Sequence, residues 1–269
     1  MAYSERQFSF EDIPVHYREG GQGFPILMIH GSGPGASTLG NWRLVLDPLA
    51  ERFHIYAMDL IGLGLSGRKP EPPYFDLDLW LRQCKAMVAQ MPGDKIGVIG
   101  HSISGALALK LAASEPRVAK VLTTGSMGAT FPPNEHTLRT WTFPKNREEL
   151  LKAAQSLIAD HSLIDETYIS NREKVLFQGD YETYFSSMFG GDKQRFIEAA
   201  VLSPDELSRI KCPVTMLHGR DDKGFPPEVT LKVAQSLPQA DVTLIGRCSH
   251  SIAMEHPQKL IAAANLLFS

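Results

Sequence analysis

Cysteine is scarce in this chain. Cys84, Cys212 and Cys248 lie far apart with no CxxC spacing, which excludes a disulfide framework and a thiolate zinc site and fits a reducing compartment. Long apolar runs are missing too: no stretch of 18 apolar residues occurs, and the first residues, MAYSERQFSF, have no basic segment leading into an apolar one. Neither a membrane-spanning helix nor a secretion signal is therefore expected, and the expected location is cytoplasmic. Charge of one sign is not in excess, since 27 basic residues face 30 acidic ones for a net charge of -3, so neither nucleic acid nor an anionic membrane is invited as a partner. There is no H-E-x-x-H pair, no Gly-Lys-Ser/Thr after the glycine-rich stretch, and no G-x-G-x-x-G opening a helix. A metal centre, a P-loop and a dinucleotide site are accordingly not expected, and no cofactor is implied.

What remains is an ordinary globular chain. With 269 residues, 43% hydrophobic and 21% charged, it can bury a core as one domain carrying an insertion. A loose alternation over residues 6–18 around EDIP suggests an N-terminal hairpin. Short apolar runs at 25–31, 53–59, 95–100, 117–125, 212–219 and 240–246 each end at a glycine or a polar cluster, as strands covered on both faces do. Helical patterns fall between several of them, among them NWRLVLDPLAERF, LDLWLRQCKAMVAQM, GALALKLAASEP and PQKLIAAANLLFS. Strand then helix, repeated, predicts an α/β fold with a mostly parallel sheet flanked by helices. From Met127 to Ser203 longer amphipathic pieces and an aromatic-rich run replace that rhythm. The expected division is a core of 1–126 with 204–269 and a helical lid of 127–203.

The densest signal is KIGVIGHSISGALALKLA. A strand ending at Gly100 and a helix beginning near Ser104 leave Ser102 at the apex of a tight turn, its hydroxyl thrust out of the sheet beside free helical N–H groups. This predicts a nucleophile elbow, with Ser104 where the pattern G-x-S-x-G has its second glycine. A helix-capping role is the competing explanation of Ser102. Ser104, inside the first helical turn, is a weaker candidate nucleophile.

A serine hydroxyl needs a base, and the base an orienting acid. In this type of fold the acid comes before the histidine. Asp222 lies just beyond Gly219 on a strand-to-helix loop, with Asp221 as its rival, and His250 sits on the loop after the last strand run. His256, beside Pro257, is expected to be structural. The segment HGSGPGASTLGNW (30–42) follows the first long apolar strand, and its glycines permit close approach of backbone to substrate. The oxyanion donors expected are the N–H groups of Ser32 and Ile103.

Together with DLIGLGLSGRKP (59–70), which looks like D-x-x-G-x-G-x-S, these residues resemble the α/β-hydrolase superfamily over essentially the whole chain. Within it, HGSGPGA followed by Asn41 resembles the meta-cleavage product hydrolases, which cut a carbon–carbon bond in 2-hydroxy-6-oxo-dienoates. That resemblance implies a hydrolase with Asn41 and the lid arginine Arg172 at the substrate's 2-hydroxy-dienoate head, Gly33 and His101 nearby, and Arg195 as a weaker match for the arginine. It implies ketonisation of the dienol followed by attack of Ser102, or of water activated by His250, on the distal carbonyl. A homodimer is also implied. The chain departs from the family at His101, Ser104 and Ser251, where Asn, Gly and Trp are usual.

A carboxylesterase or lactonase with the same triad is the alternative, in which Ser102 forms an acyl-enzyme directly. A binding module, or a lyase or cofactor-free oxygenase on the same fold, are further classes. Phe131, Trp141, Phe143, Phe185 and other lid aromatics divide between core packing and a pocket for an aromatic or apolar tail. The expected partner is thus a small molecule of that kind with a carboxylate.

Overall fold

Strands β3 (Phe24–Ile29), β4 (Phe53–Met58) and β5 (Ile96–His101) are apolar at nearly every position because both faces of the sheet are covered. Side chains still alternate. Leu27, Ile29, Tyr56, Met58, Ile96 and Val98 join the core on one face, and Ile26, Met28, Ile55, Ala57 and Ile99 join the core on the other. The computed structural model describes residues 3–269. Strands β1 (Ser4–Phe10) and β2 (Ile13–Gly20) form the expected antiparallel hairpin, and β6 (Val118–Thr124), β7 (Val214–Gly219) and β8 (Ala240–Ile245) complete an eight-stranded sheet. Its order is β1-β2-β4-β3-β5-β6-β7-β8, antiparallel at β1–β2–β4 and parallel elsewhere.

From β3 the chain steps one way to β4, then returns to place β5 on the other side of β3. The loops leaving β3 and β5 therefore diverge, and the crevice between them is where an open α/β sheet offers a ligand site. The glycine loop leaves β3 and Ser102 follows β5, so both face that crevice.

Helices α1 (Thr38–Trp42) and α2 (Leu46–Ala50) replace the single helix expected over NWRLVLDPLAERF. Pro48 explains the interruption: it has no N–H to donate backwards, so it is accommodated in the first turn of a new helix. Helix α3 (Leu77–Gln90) packs on α4 (Ile103–Ala112). Six α-helices and a short 3₁₀ turn at His161–Leu163 then intervene between β6 and β7: α5 (Glu135–Thr140), α6 (Arg147–Gln155), α7 (Glu166–Leu176), α8 (Tyr181–Met188), α9 (Gln194–Ala200) and α10 (Pro204–Arg209). These helices form a helical insertion between two parallel strands of the sheet. A capping box between Ser203 and Glu206 starts that last helix. Helices α11 (Pro227–Ala234), α12 (Ile252–Glu255) and α13 (Pro257–Phe268) complete the chain. None of the described helices is long and apolar enough to cross a membrane.

Candidate active site

Ser102 has φ 60° and ψ -125°, a conformation that costs a non-glycine residue energy and persists only where neighbours hold it. Its N–H donates to the Thr124 carbonyl at 2.9 Å, and its own carbonyl accepts from Gly105 and Met127 at 2.9 and 3.1 Å. The side chain makes no capping bond to α4, so capping does not explain the serine. It lines a cavity of about 20 Å³ instead, together with His250, Ser32, His101, Asn41 and Arg172. Ile103, the first helical residue, has an N–H with no intrahelical partner.

The turn needs its glycine. A Cβ on Gly100 would lie 2.1 Å from the Ser104 carbonyl oxygen. Gly100→Ala is therefore expected to lower stability by about 1–3 kcal/mol or more through a backbone clash, measured as the shift of a denaturant midpoint; an unchanged midpoint would show that the elbow can relax. Ser104 is fully buried, and its hydroxyl donates to the His30 carbonyl at 2.6 Å. That bond ties α4 to the end of β3. It gives the serine at the glycine position a structural use and leaves it no role as nucleophile.

His250 Nδ1 donates to Asp222 Oδ2 at 2.6 Å. Asp222 Oδ1 accepts from the N–H groups of Gly224 and Phe225 at 3.1 and 2.9 Å. Asp221 is exposed, so of the two neighbouring acids it is Asp222 that meets the histidine. The Phe225 ring stacks on the His250 imidazole with centroids 4.3 Å apart, and the His101 ring lies 4.7 Å away. His256 instead donates from Nε2 to the Arg247 carbonyl at 2.9 Å, where α13 begins.

Burial, the largest influence on Asp222, opposes its ionisation, but the charge of His250 and the hydrogen bonds from His218 and His250 outweigh it. Its carboxyl is held well below the usual range. The carboxylate therefore adds stability that is complete above the ordinary aspartate range and is lost as pH falls through the depressed folded value. Asp222→Asn should be less stable than the wild type at neutral pH, with the difference shrinking toward pH 3 in parallel thermal melts. A difference that grows on acidification would contradict this.

His218, which the sequence reading did not single out, completes the acid's surroundings. Its Nε2 lies 2.9 Å from the Phe225 carbonyl and 3.3 Å from Asp222 Oδ2, while Thr230 Oγ1 sits 2.7 Å from Nδ1. A hydrogen bond to a charged group contributes about 1.5–3 kcal/mol. His218→Phe is thus expected to lower kcat about tenfold or more at nearly constant KM, with part of the loss restored by His218→Gln. Equal kinetics for the two variants would contradict a positioning role.

His101 Nδ1 donates to the Thr124 carbonyl at 3.0 Å. Burial first, then the neighbouring charge of His250, pushes its pKa well below the usual histidine range. It is a neutral ring, and with Nδ1–H committed, Nε2 carries the free lone pair. Ser32 Oγ accepts from Trp141 Nε1 of the helical insertion at 3.0 Å. Gly33 and Ser251 line the same cavity.

Arg172 of α7 is 6% exposed. It donates to the carbonyls of Pro34 and Gly40 at 2.6 and 3.4 Å, and its guanidinium lies over the Tyr168 ring at 4.5 Å. The glycine loop makes this approach possible, since Gly35 has φ +67° and a Cβ there would lie 2.7 Å from the Arg172 Cβ. Among the described residues no carboxylate pairs with Arg172, and its Nε has no partner. Asn41 lines the same enclosure, and its Oδ1 is likewise buried without a partner among the described residues. Arg195 points elsewhere, donating to the Gly190 carbonyl at 3.0 Å.

Asp59 explains the second glycine motif. Its carboxylate accepts from the N–H groups of Thr38 and Leu65 at 2.7 and 2.9 Å and meets His16 Nδ1 at 3.0 Å. It buttresses the glycine loop from behind.

The model of one protein family matches residues 26–264, and that family is described as the alpha/beta hydrolase family. The chain belongs to the alpha/beta hydrolase family. This hydrolase is 27% identical over 254 residues to the 2-hydroxy-6-oxo-2,4-heptadienoate hydrolase of Pseudomonas putida, a match covering 94% of this chain and 92% of the relative. It is 28% identical over 270 residues to the 2-hydroxy-6-oxo-6-(2'-aminophenyl)hexa-2,4-dienoic acid hydrolase of Metapseudomonas resinovorans, covering 99% and 91%. Among solved structures it is similar to a meta-cleavage product hydrolase from Pseudomonas fluorescens, a serine-to-alanine variant complexed with acetates. The TM-score is 0.90 at 25% identity, covering 96% of this chain and 95% of that one. The resemblance read from HGSGPGA and Asn41 is thus matched by whole-chain similarity to meta-cleavage product hydrolases.

Proposed function

We propose that this hydrolase cleaves the C5–C6 bond of a 2-hydroxy-6-oxo-hexa-2,4-dienoate-type ring-cleavage product, with Ser102, His250 and Asp222 as its triad. The observation that carries the proposal is Arg172: a buried guanidinium with no carboxylate partner among the described residues, sharing an enclosure with Ser102, His250 and Asn41, whose Oδ1 has no partner among them either. Burying a cation without a counter-charge is costly. A substrate carboxylate supplies that charge, and a guanidinium donates two parallel hydrogen bonds to it.

With the carboxylate at Arg172, the 2-hydroxyl comes to Asn41 and the neutral His101, whose Nε2 lone pair can receive its proton. Ketonisation moves that proton from the 2-hydroxyl oxygen to C5, leaving a 2-oxo group. Ser102, deprotonated by His250, then attacks the C6 carbonyl. The oxyanion rests on the N–H groups of Ser32 and Ile103. Asp222 stabilises the imidazolium of His250. When the C5–C6 bond breaks, its electron pair is delocalised into the 2-oxo group, giving a 2-hydroxypenta-2,4-dienoate. Water releases the acyl group as a carboxylic acid, with His250 returning a proton.

Turnover of 2-hydroxy-6-oxohepta-2,4-dienoate, followed by loss of its absorbance beside p-nitrophenyl acetate and butyrate, tests the reading. Dienoate turnover with the higher kcat/KM supports it. Brisk ester hydrolysis with a stable dienoate would replace it by the esterase alternative.

A further inference from the structure

A second enclosure lies on the far side of the glycine loop, between α7 and the core. It consists of two adjoining cavities of about 210 and 220 Å³ that share Leu65, Lys174 and Val175. Both are larger than the catalytic cavity, and neither is lined by Ser102, His250 or Arg172. Helix α7 serves both sites: Arg172 is turned into the catalytic cavity, while Lys174 and Val175 border the outer one.

The outer cavity has three chemical features. Its free charge is positive: Lys174 forms no ion pair or hydrogen bond among the described residues, Arg18 is paired with Glu5, and Asp59 is committed to His16, Thr38 N–H and Leu65 N–H. Two of its wall residues carry buried polar atoms without partners among the described residues, His16 Nε2 and Thr38 Oγ1, in residues that are 9% and 1% exposed. The rest of the wall includes the apolar Leu39, Leu65 and Val175. Buried polar groups ordinarily have partners, and with His16 Nδ1–H given to Asp59 it is the Thr38 hydroxyl that is left as a donor without an acceptor.

We propose that this cavity is a binding site for a small organic carboxylate. The anion meets Lys174, an oxygen accepts from Thr38 Oγ1, and a short apolar body rests on Leu65 and Val175. An apolar cavity of about 150 Å³ accommodates benzene, so a volume of about 210 Å³ suits a molecule the size of benzoate. A bound anion bridges Lys174 to Thr38 and so ties α7 to the core. The site stands independently of the C–C cleavage proposed above.

Benzoate is the probe. Calorimetric titration is made with the wild type, Thr38→Val, Lys174→Glu and Arg172→Gln. Thr38→Val keeps the shape and the backbone N–H bond to Asp59, and removes only a hydroxyl that has no partner, so its fold should be intact. Lys174 is exposed, which makes its substitution equally harmless to folding. The expected result is binding that survives in Arg172→Gln and weakens at least about tenfold in both Thr38→Val and Lys174→Glu, while those two variants retain the wild-type kcat. Binding lost in Arg172→Gln but kept in the other two would put benzoate in the catalytic cavity and overturn the proposal. Absence of binding in all four proteins would overturn it as well.

Discussion

Ser102→Ala is expected to lower kcat by at least about 10³-fold, the scale on which losing a triad nucleophile is felt, while leaving the fold and substrate affinity in place. The elbow is pinned through backbone groups, the Ser102 N–H and carbonyl, and those survive the substitution. Ser104, the other hydroxyl of the elbow, cannot take over, because it is buried and committed to the His30 carbonyl. Single-turnover absorbance measurements separate the two effects: the dissociation constant for the dienoate should match the wild type, and the decay of bound substrate should be slowed. A rate within about tenfold of wild type would make a water activated by His250 the nucleophile.

Arg172→Gln is expected to lower kcat/KM by about 10²–10³-fold, since truncating one partner of a buried, hydrogen-bonded charge pair costs about 2–5 kcal/mol. Stability should move the other way or not at all. Among the described residues no carboxylate pairs with this buried cation, so removing it relieves a desolvation cost and gives up two bonds to loop carbonyls. A melting temperature at or above wild type, together with the kinetic loss, distinguishes a substrate ligand from a structural strut. A collapse in melting temperature with unchanged kcat/KM would make Arg172 a strut. Hydrolysis of p-nitrophenyl esters, which carry no carboxylate, should fall far less in this variant.

Much of this geometry was legible in the sequence because each chemical residue sits where a strand run stops. Gly100, Gly219 and the end of VTLIG mark three parallel strand ends, and a parallel sheet delivers the segments that follow them to one edge. The Asp222–His250 hydrogen bond follows from that topology once the sheet order is known. His218 and His16 were not legible, since a histidine within or beside an apolar strand looks the same whether it packs or holds a carboxylate. Only the fold brings His218 to Asp222 and His16 to Asp59, across 43 residues in the latter pair. The break between α1 and α2 was signalled by Pro48, yet the apolar spacing of NWRLVLDPLAERF fits a continuous helix equally well.

The most direct test of the central claim is identification of the products formed when the enzyme meets 2-hydroxy-6-oxohepta-2,4-dienoate, by liquid chromatography with mass detection against a Ser102→Ala control. The account predicts acetate and 2-hydroxypenta-2,4-dienoate in equal amounts, with neither formed by the control. Recovery of intact dienoate, under conditions in which the same preparation hydrolyses p-nitrophenyl butyrate, would contradict it.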